Sequence, residues 1–98
     1  MAINKKSNII LIGCGPHARR VYLPALHRIS NIKLELIIDL ESQGSEVLKA
    51  AKNFEQTELW LIQPFTDFMP AELAKRLSNF VREKEISGVI IATEPLVH

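Results

Sequence analysis

The 98-residue sequence predicts an α/β domain built on a four-stranded parallel sheet. Two observations carry that reading. Four short apolar runs alternate with three helical patterns, and the first run ends in a glycine turn that leads straight into a helix. The runs cover residues 8–12, 34–39, 58–62 and 89–92. They are largely continuous rather than alternating, as strands buried on both faces of a parallel sheet require. Parallel neighbours need right-handed helical crossovers. The expected spatial order is 3-2-1-4, the first half of a doubly wound sheet plus the first strand of the second half.

Each connection has its own signals. After the first strand, Ala18, Val21, Leu26 and Ile29 supply an inward helical face, and Pro24 predicts a kink because its ring meets the carbonyl of Arg20. After the second strand, residues 42–45 read as a turn around Gly44. Ser45 is the expected N-cap, and Val47, Leu48, Ala51 and Phe54 the buried face. After the third strand, residues 63–69 read as a loop with Phe65 and Phe68 tucked beneath it. Pro70 suits the first position of the next helix and Glu72 its positive end. Leu73, Leu77, Phe80 and Val81 form that helix's apolar stripe, and Ser87-Gly88 closes the connection.

Composition narrows the function classes. The formal net charge is +1, which argues against nucleic-acid binding, a function that brings a basic excess on one face. Lys5-Lys6 and Arg19-Arg20 are only pairs, and the lysines read as solvated surface. The single cysteine, Cys14, excludes an internal disulfide and a cysteine-based zinc cluster. Histidines at 17, 27 and 98 lack metal-ligand spacing, so no metal is expected. The first apolar run is too short for a signal peptide or a membrane span, which makes the cytoplasm the expected location and leaves no membrane partner.

The chemistry concentrates at Gly13-Cys14-Gly15-Pro16-His17-Ala18. This is a G-x-G-x-x-A turn between a strand and a helix. Its first glycine permits the tight turn, the second lets backbone approach a pyrophosphate, and the small third residue lets helix and strand pack closely. Asp39 follows Ala18 by 21 positions, at the end of the second apolar run. A carboxylate there can accept hydrogen bonds from both ribose hydroxyls of an adenosine and would repel a 2′-phosphate; the other reading is that Asp39 caps a turn. No basic residue occurs among Leu40, Glu41, Ser42 and Gln43, so NAD is favoured over NADP.

Cys14 reads as a small residue beside the phosphates rather than a reactive thiol. His17 has two readings, a phosphate contact or an exposed turn position. Arg19 either adds charge near the pyrophosphate or is a solvated helix residue. Thr93 and Pro95 follow the fourth strand, at the switch point where ligands of open parallel sheets bind; they either meet the cofactor or merely start another helix.

The glycine turn, Leu23-Pro24-Ala25-Leu26, Asp39 and the final Ala-Thr-Glu-Pro-Leu-Val-His98 together resemble the N-terminal domain of the Gfo/Idh/MocA oxidoreductases (glucose–fructose oxidoreductase, inositol dehydrogenase, rhizopine catabolism). The resemblance implies a partial Rossmann fold over residues 1–98, incomplete at its C-terminus and without a substrate domain. It implies NAD(P) held by Gly13, Gly15, Ala18 and Asp39, with Thr93, Pro95 and His98 toward the nicotinamide. It also implies hydride transfer on a sugar, polyol or related carbonyl compound. Leu96 stands where the family often has asparagine, and the stretch 58–82 is longer than usual. The family's catalytic lysine lies beyond the residues matched here; Lys52 and Lys84 do not occupy such a segment, so no catalytic residue is assigned. The alternative is a standalone nucleotide-binding or interaction module completed by a partner chain. The fourth strand, an exposed apolar edge, predicts self-association or a partner.

Overall fold

A computed structural model describes residues 7–15, 18–65 and 68–92. Four parallel strands form one sheet: β1 (Ser7–Ile12), β2 (Ile32–Leu40), β3 (Glu58–Ile62) and β4 (Ile86–Ile91). Their order is β3-β2-β1-β4, as the sequence predicts. β1 and β2 sit centrally because they are the most apolar. Ile10, Leu11, Leu36 and Ile37 are wholly buried. At its carboxyl end β1 aligns Ile12 with both Ile38 of β2 and Ile91 of β4, while β2 aligns Asp39 with Leu61 of β3.

Two helices, α1 (Leu23–Arg28) and α2 (Gly44–Ala50), cover one face, and α3 (Ala71–Glu83) covers part of the other. Under α1 and α2 lies a core of Ile9, Leu11, Cys14, Leu23, Leu26, Ile37 and Val47. Under α3, Ile10, Leu36 and Ile38 meet Trp60 and Phe80, whose rings pack edge to face at 5.3 Å. The Arg76 guanidinium lies 3.9 Å over the Trp60 ring, a cation–π contact that ties α3 to β3. Gly44 opens α2 against β3. A Cβ there would stand 2.9 Å from Leu61 Cδ1, so the missing side chain sets how closely helix and strand approach.

The helices differ from the sequence expectation in phase. Residues Ala18–Tyr22 form a π-helical stretch before α1, and Pro24 falls in the first turn of the α-helical part. The wider turn rotates the following residues. Leu23 and Leu26 therefore turn inward, while Val21 and Ile29 are exposed. A 3₁₀ turn at Glu41–Gln43 runs into α2, so Ser45 lies inside the helix and caps nothing. Val47 is buried there and Leu48 is exposed. Pro70 is the N-cap of α3 rather than its first residue, and Val81 lies at the exposed margin of its stripe.

Phe65 and Phe68 are exposed rather than tucked in. β4 starts at Ile86, so Ser87-Gly88 is strand, not turn. The pairing with β1 shifts register between Asn8 and Ile9, and Ser87 is the extra residue of this bulge. Just before it, Glu85 ends the α3 connection at φ 51°, a left-handed conformation that favours glycine.

Candidate functional site

The carboxyl ends of all four strands converge on one cleft of about 630 Å³. β1 contributes Ile12 and the turn Gly13-Cys14-Gly15. β2 contributes Ile38, Asp39 and Leu40. Ile62, Pro64 and Phe65 come from the end of β3, Ala92 follows β4, and Gln43 reaches in from the turn before α2. This is where ligands bind in open parallel sheets.

The turn is held from two sides. The Gly13 N–H donates to Ile38 O at 2.8 Å, and the Ala92 N–H donates to Ile12 O at 2.8 Å. Gly13 takes φ 87°, which explains why glycine stands at the first position of the motif. The Arg19 N–H donates to Gly15 O at 3.0 Å, starting the helical segment directly after the turn. Ala18 is buried, as close packing of that segment on the strand requires.

Asp39 faces the turn. One carboxylate oxygen accepts the Cys14 N–H at 2.9 Å, and the other accepts the Leu40 N–H at 2.7 Å. The carboxylate is thus fixed in place by two backbone donors. An ionised carboxylate offers about four acceptor positions, so two stay available for hydroxyl donors. Asp39 is the one charged residue among the described lining residues.

Cys14 is among the residues that line the cleft, yet it is fully buried and belongs to the core beneath α1. Burial pushes its thiol up from 9.0 to about 11. The nearby Asp39 carboxylate adds to the rise, and the Arg19 guanidinium opposes it. The thiol is therefore protonated at neutral pH and is no nucleophile. Arg19 turns toward α2, with its guanidinium 3.5 Å from Glu46, and does not line the cleft. Pro16, His17, Thr93, Pro95 and His98 lie outside the described residues.

Several lining residues carry no motif: Leu40, Gln43, Ile62, Pro64 and Phe65. Their signal in the sequence is position alone, since each lies at or just after the carboxyl end of a strand. At the mouth, Gln63 Nε2 donates to Glu41 Oε2 at 2.5 Å, linking the segments that leave β2 and β3. Among the described residues no cluster of histidine, cysteine, aspartate and glutamate could hold a metal ion, and no helix is long and apolar enough to cross a membrane. The arrangement offers one fixed carboxylate beside a glycine turn and an apolar wall, which suits binding. Comparison with protein-family models, curated proteins and solved structures finds no match to this chain.

Proposed function

We propose that this chain binds NAD in the carboxyl-end cleft, as the dinucleotide-binding portion of an oxidoreductase. The observation that carries the reading is the Asp39 carboxylate, held beside the glycine turn in a cleft whose described lining contains no lysine or arginine. A pyrophosphate would rest on the backbone of the turn at the start of a helical segment. The ribose hydroxyls would donate to Asp39, and Leu40, Ile62, Pro64 and Phe65 offer an apolar wall to the adenine. A 2′-phosphate would meet the carboxylate with no cation to balance it. Hydride transfer on a sugar, polyol or related carbonyl compound rests on the resemblance of the glycine turn, Leu23-Pro24-Ala25-Leu26 and the C-terminal residues to the Gfo/Idh/MocA family.

Calorimetric titration with NAD, NADP and ADP-ribose tests this. NAD and ADP-ribose should bind, with NADP weaker by about tenfold or more, the equivalent of about 1.4 kcal/mol. Equal affinity for NADP contradicts the role of Asp39, and no heat with any of the three contradicts the reading itself. The place of β4 at the end of the described strand order favours a second reading, a nucleotide-binding module completed by another chain.

A further inference from the structure

The net charge of +1 is unevenly spread. Residues 18–28 and 44–53 form the helical segments on one face of the sheet. They hold Arg19, Arg20, Arg28, Lys49 and Lys52 against a single glutamate, Glu46. The rest of the chain holds more acidic than basic residues. A nearly neutral total thus conceals one basic face.

That face contains a hollow of about 380 Å³ between α1 and the end of α2. Arg19, His27 and Arg28 line it from the α1 side, and Asn53 lines it from the 3₁₀ turn that follows α2. Leu23, Pro24 and Phe54 add an apolar lining, and the Phe54 ring packs edge to face against His27 at 5.4 Å. The helical period brings these groups together: Arg19, Leu23 and His27 fall four residues apart on one row, and Pro24 and Arg28 on the next. Glu46 meets Nη1 of the largely buried Arg19 side chain at 3.5 Å. A guanidinium has five N–H donors, so that contact does not consume it. No carboxylate occurs among the described residues that line the hollow.

We propose that this groove is a second binding site, separate from the carboxyl-end cleft, and that it takes a small phosphate monoester with an apolar body. A phosphate monoester carries about two negative charges at pH 7. Arg19 and Arg28 supply two positive charges to match, each with paired N–H groups that fit phosphate oxygens. His27 and Asn53 add further donors, and Leu23, Pro24 and Phe54 receive the body of the ligand. The volume falls within the range of about 300–1,000 Å³ usual for small-molecule pockets, which favours a small ligand over a polymer spread across the face. Neither the glycine turn nor Asp39 lines this groove, so the site stands apart from the NAD reading.

Amide-resolved NMR of the 98-residue chain, titrated with phenyl phosphate at constant ionic strength, tests the site. Saturable shifts should appear at Leu23, His27, Arg28, Asn53 and Phe54, with Gly13, Asp39 and Leu40 unmoved. Inorganic phosphate should bind the same residues more weakly, because it has no apolar body to set against Leu23, Pro24 and Phe54. Arg28→Gln should weaken phenyl phosphate by about fivefold or more, through loss of a charge-assisted contact. Arg20→Gln removes the same charge from the same face but from outside the groove, and should weaken it by about twofold or less. Circular dichroism checks that each variant folds, and Asn53→Ala serves as a second groove variant. Shifts at the glycine turn instead, equal affinity for inorganic phosphate, or no saturable shift at the groove would each overturn the proposal. So would equal losses in Arg20→Gln and Arg28→Gln, the mark of diffuse attraction to any anion.

Discussion

The two ends of the sheet are put together in different ways. At the amino end, side-chain and backbone hydrogen bonds pin the crossovers to the strands. Thr57 Oγ1 donates to Leu34 O at 2.6 Å, Asn8 Nδ2 donates to Lys84 O at 2.7 Å, and the Ser7 N–H donates to Asn31 O at 2.8 Å. The hollow there, between α1 and the segments entering β2 and β3, measures about 380 Å³. At the carboxyl end a glycine takes a left-handed conformation, a carboxylate accepts backbone N–H groups, and the cleft opens to about 630 Å³. The polar contacts of the amino end are consumed by the fold. Those of the carboxyl end leave acceptor capacity on Asp39. Stability should therefore be separable from binding by position along the strands.

The largest expected effect comes from Asp39→Ala. It removes two charge-assisted acceptors, costs about 1.5–3 kcal/mol of stability by denaturant titration, and weakens NAD by at least an order of magnitude. Gly13→Ala comes next. It forces a side chain into the left-handed region, costs about 1–2 kcal/mol, and weakens NAD as well. At the amino end, Thr57→Val should cost about 1 kcal/mol while leaving NAD affinity unchanged. Loss of binding in Thr57→Val with a folded protein would break the contrast between the ends.

Two smaller effects sharpen it. Glu85→Gly relieves the φ 51° conformation at the end of the α3 connection and should stabilise the protein by about 1 kcal/mol, again with no effect on NAD. The Cys14 thiol carries a pH dependence. Its folded value is raised, so above the unfolded value the unfolded chain loses a proton that the native state keeps. The stabilising contribution is present in full below pH 9.0 and declines as pH rises toward about 11. Urea titrations across that range should show wild type losing more stability than Cys14→Ala.

The strands were legible in the sequence because continuous apolar runs have few other uses in a small α/β chain. β3 matches its expected bounds at both ends, and the strand order follows from the crossover rule. The helix faces were less legible. Val21, Ile29 and Leu48 fit a helical period of 3.6, but π and 3₁₀ turns shift the phase ahead of α1 and α2. The start of β4 was obscured because Ser-Gly is a turn signal by composition and a bulge by geometry. At the site, spacing identified both Gly13 and Asp39. It could not reveal that the carboxylate also accepts the Cys14 N–H, a contact between residues 25 apart in the chain. Arg19 illustrates the converse: its charge left a phosphate contact or a solvated helix position open, and long-range packing places it against Glu46.

The central claim is that the carboxyl end binds NAD and the amino end does not. Amide-resolved NMR during titration with NAD tests it most directly. The account predicts saturable shifts at Gly13, Gly15, Asp39, Leu40 and Phe65, with Asn8, Leu34, Thr57 and Lys84 unmoved. Shifts concentrated at the amino end, or none at saturating NAD, would contradict it.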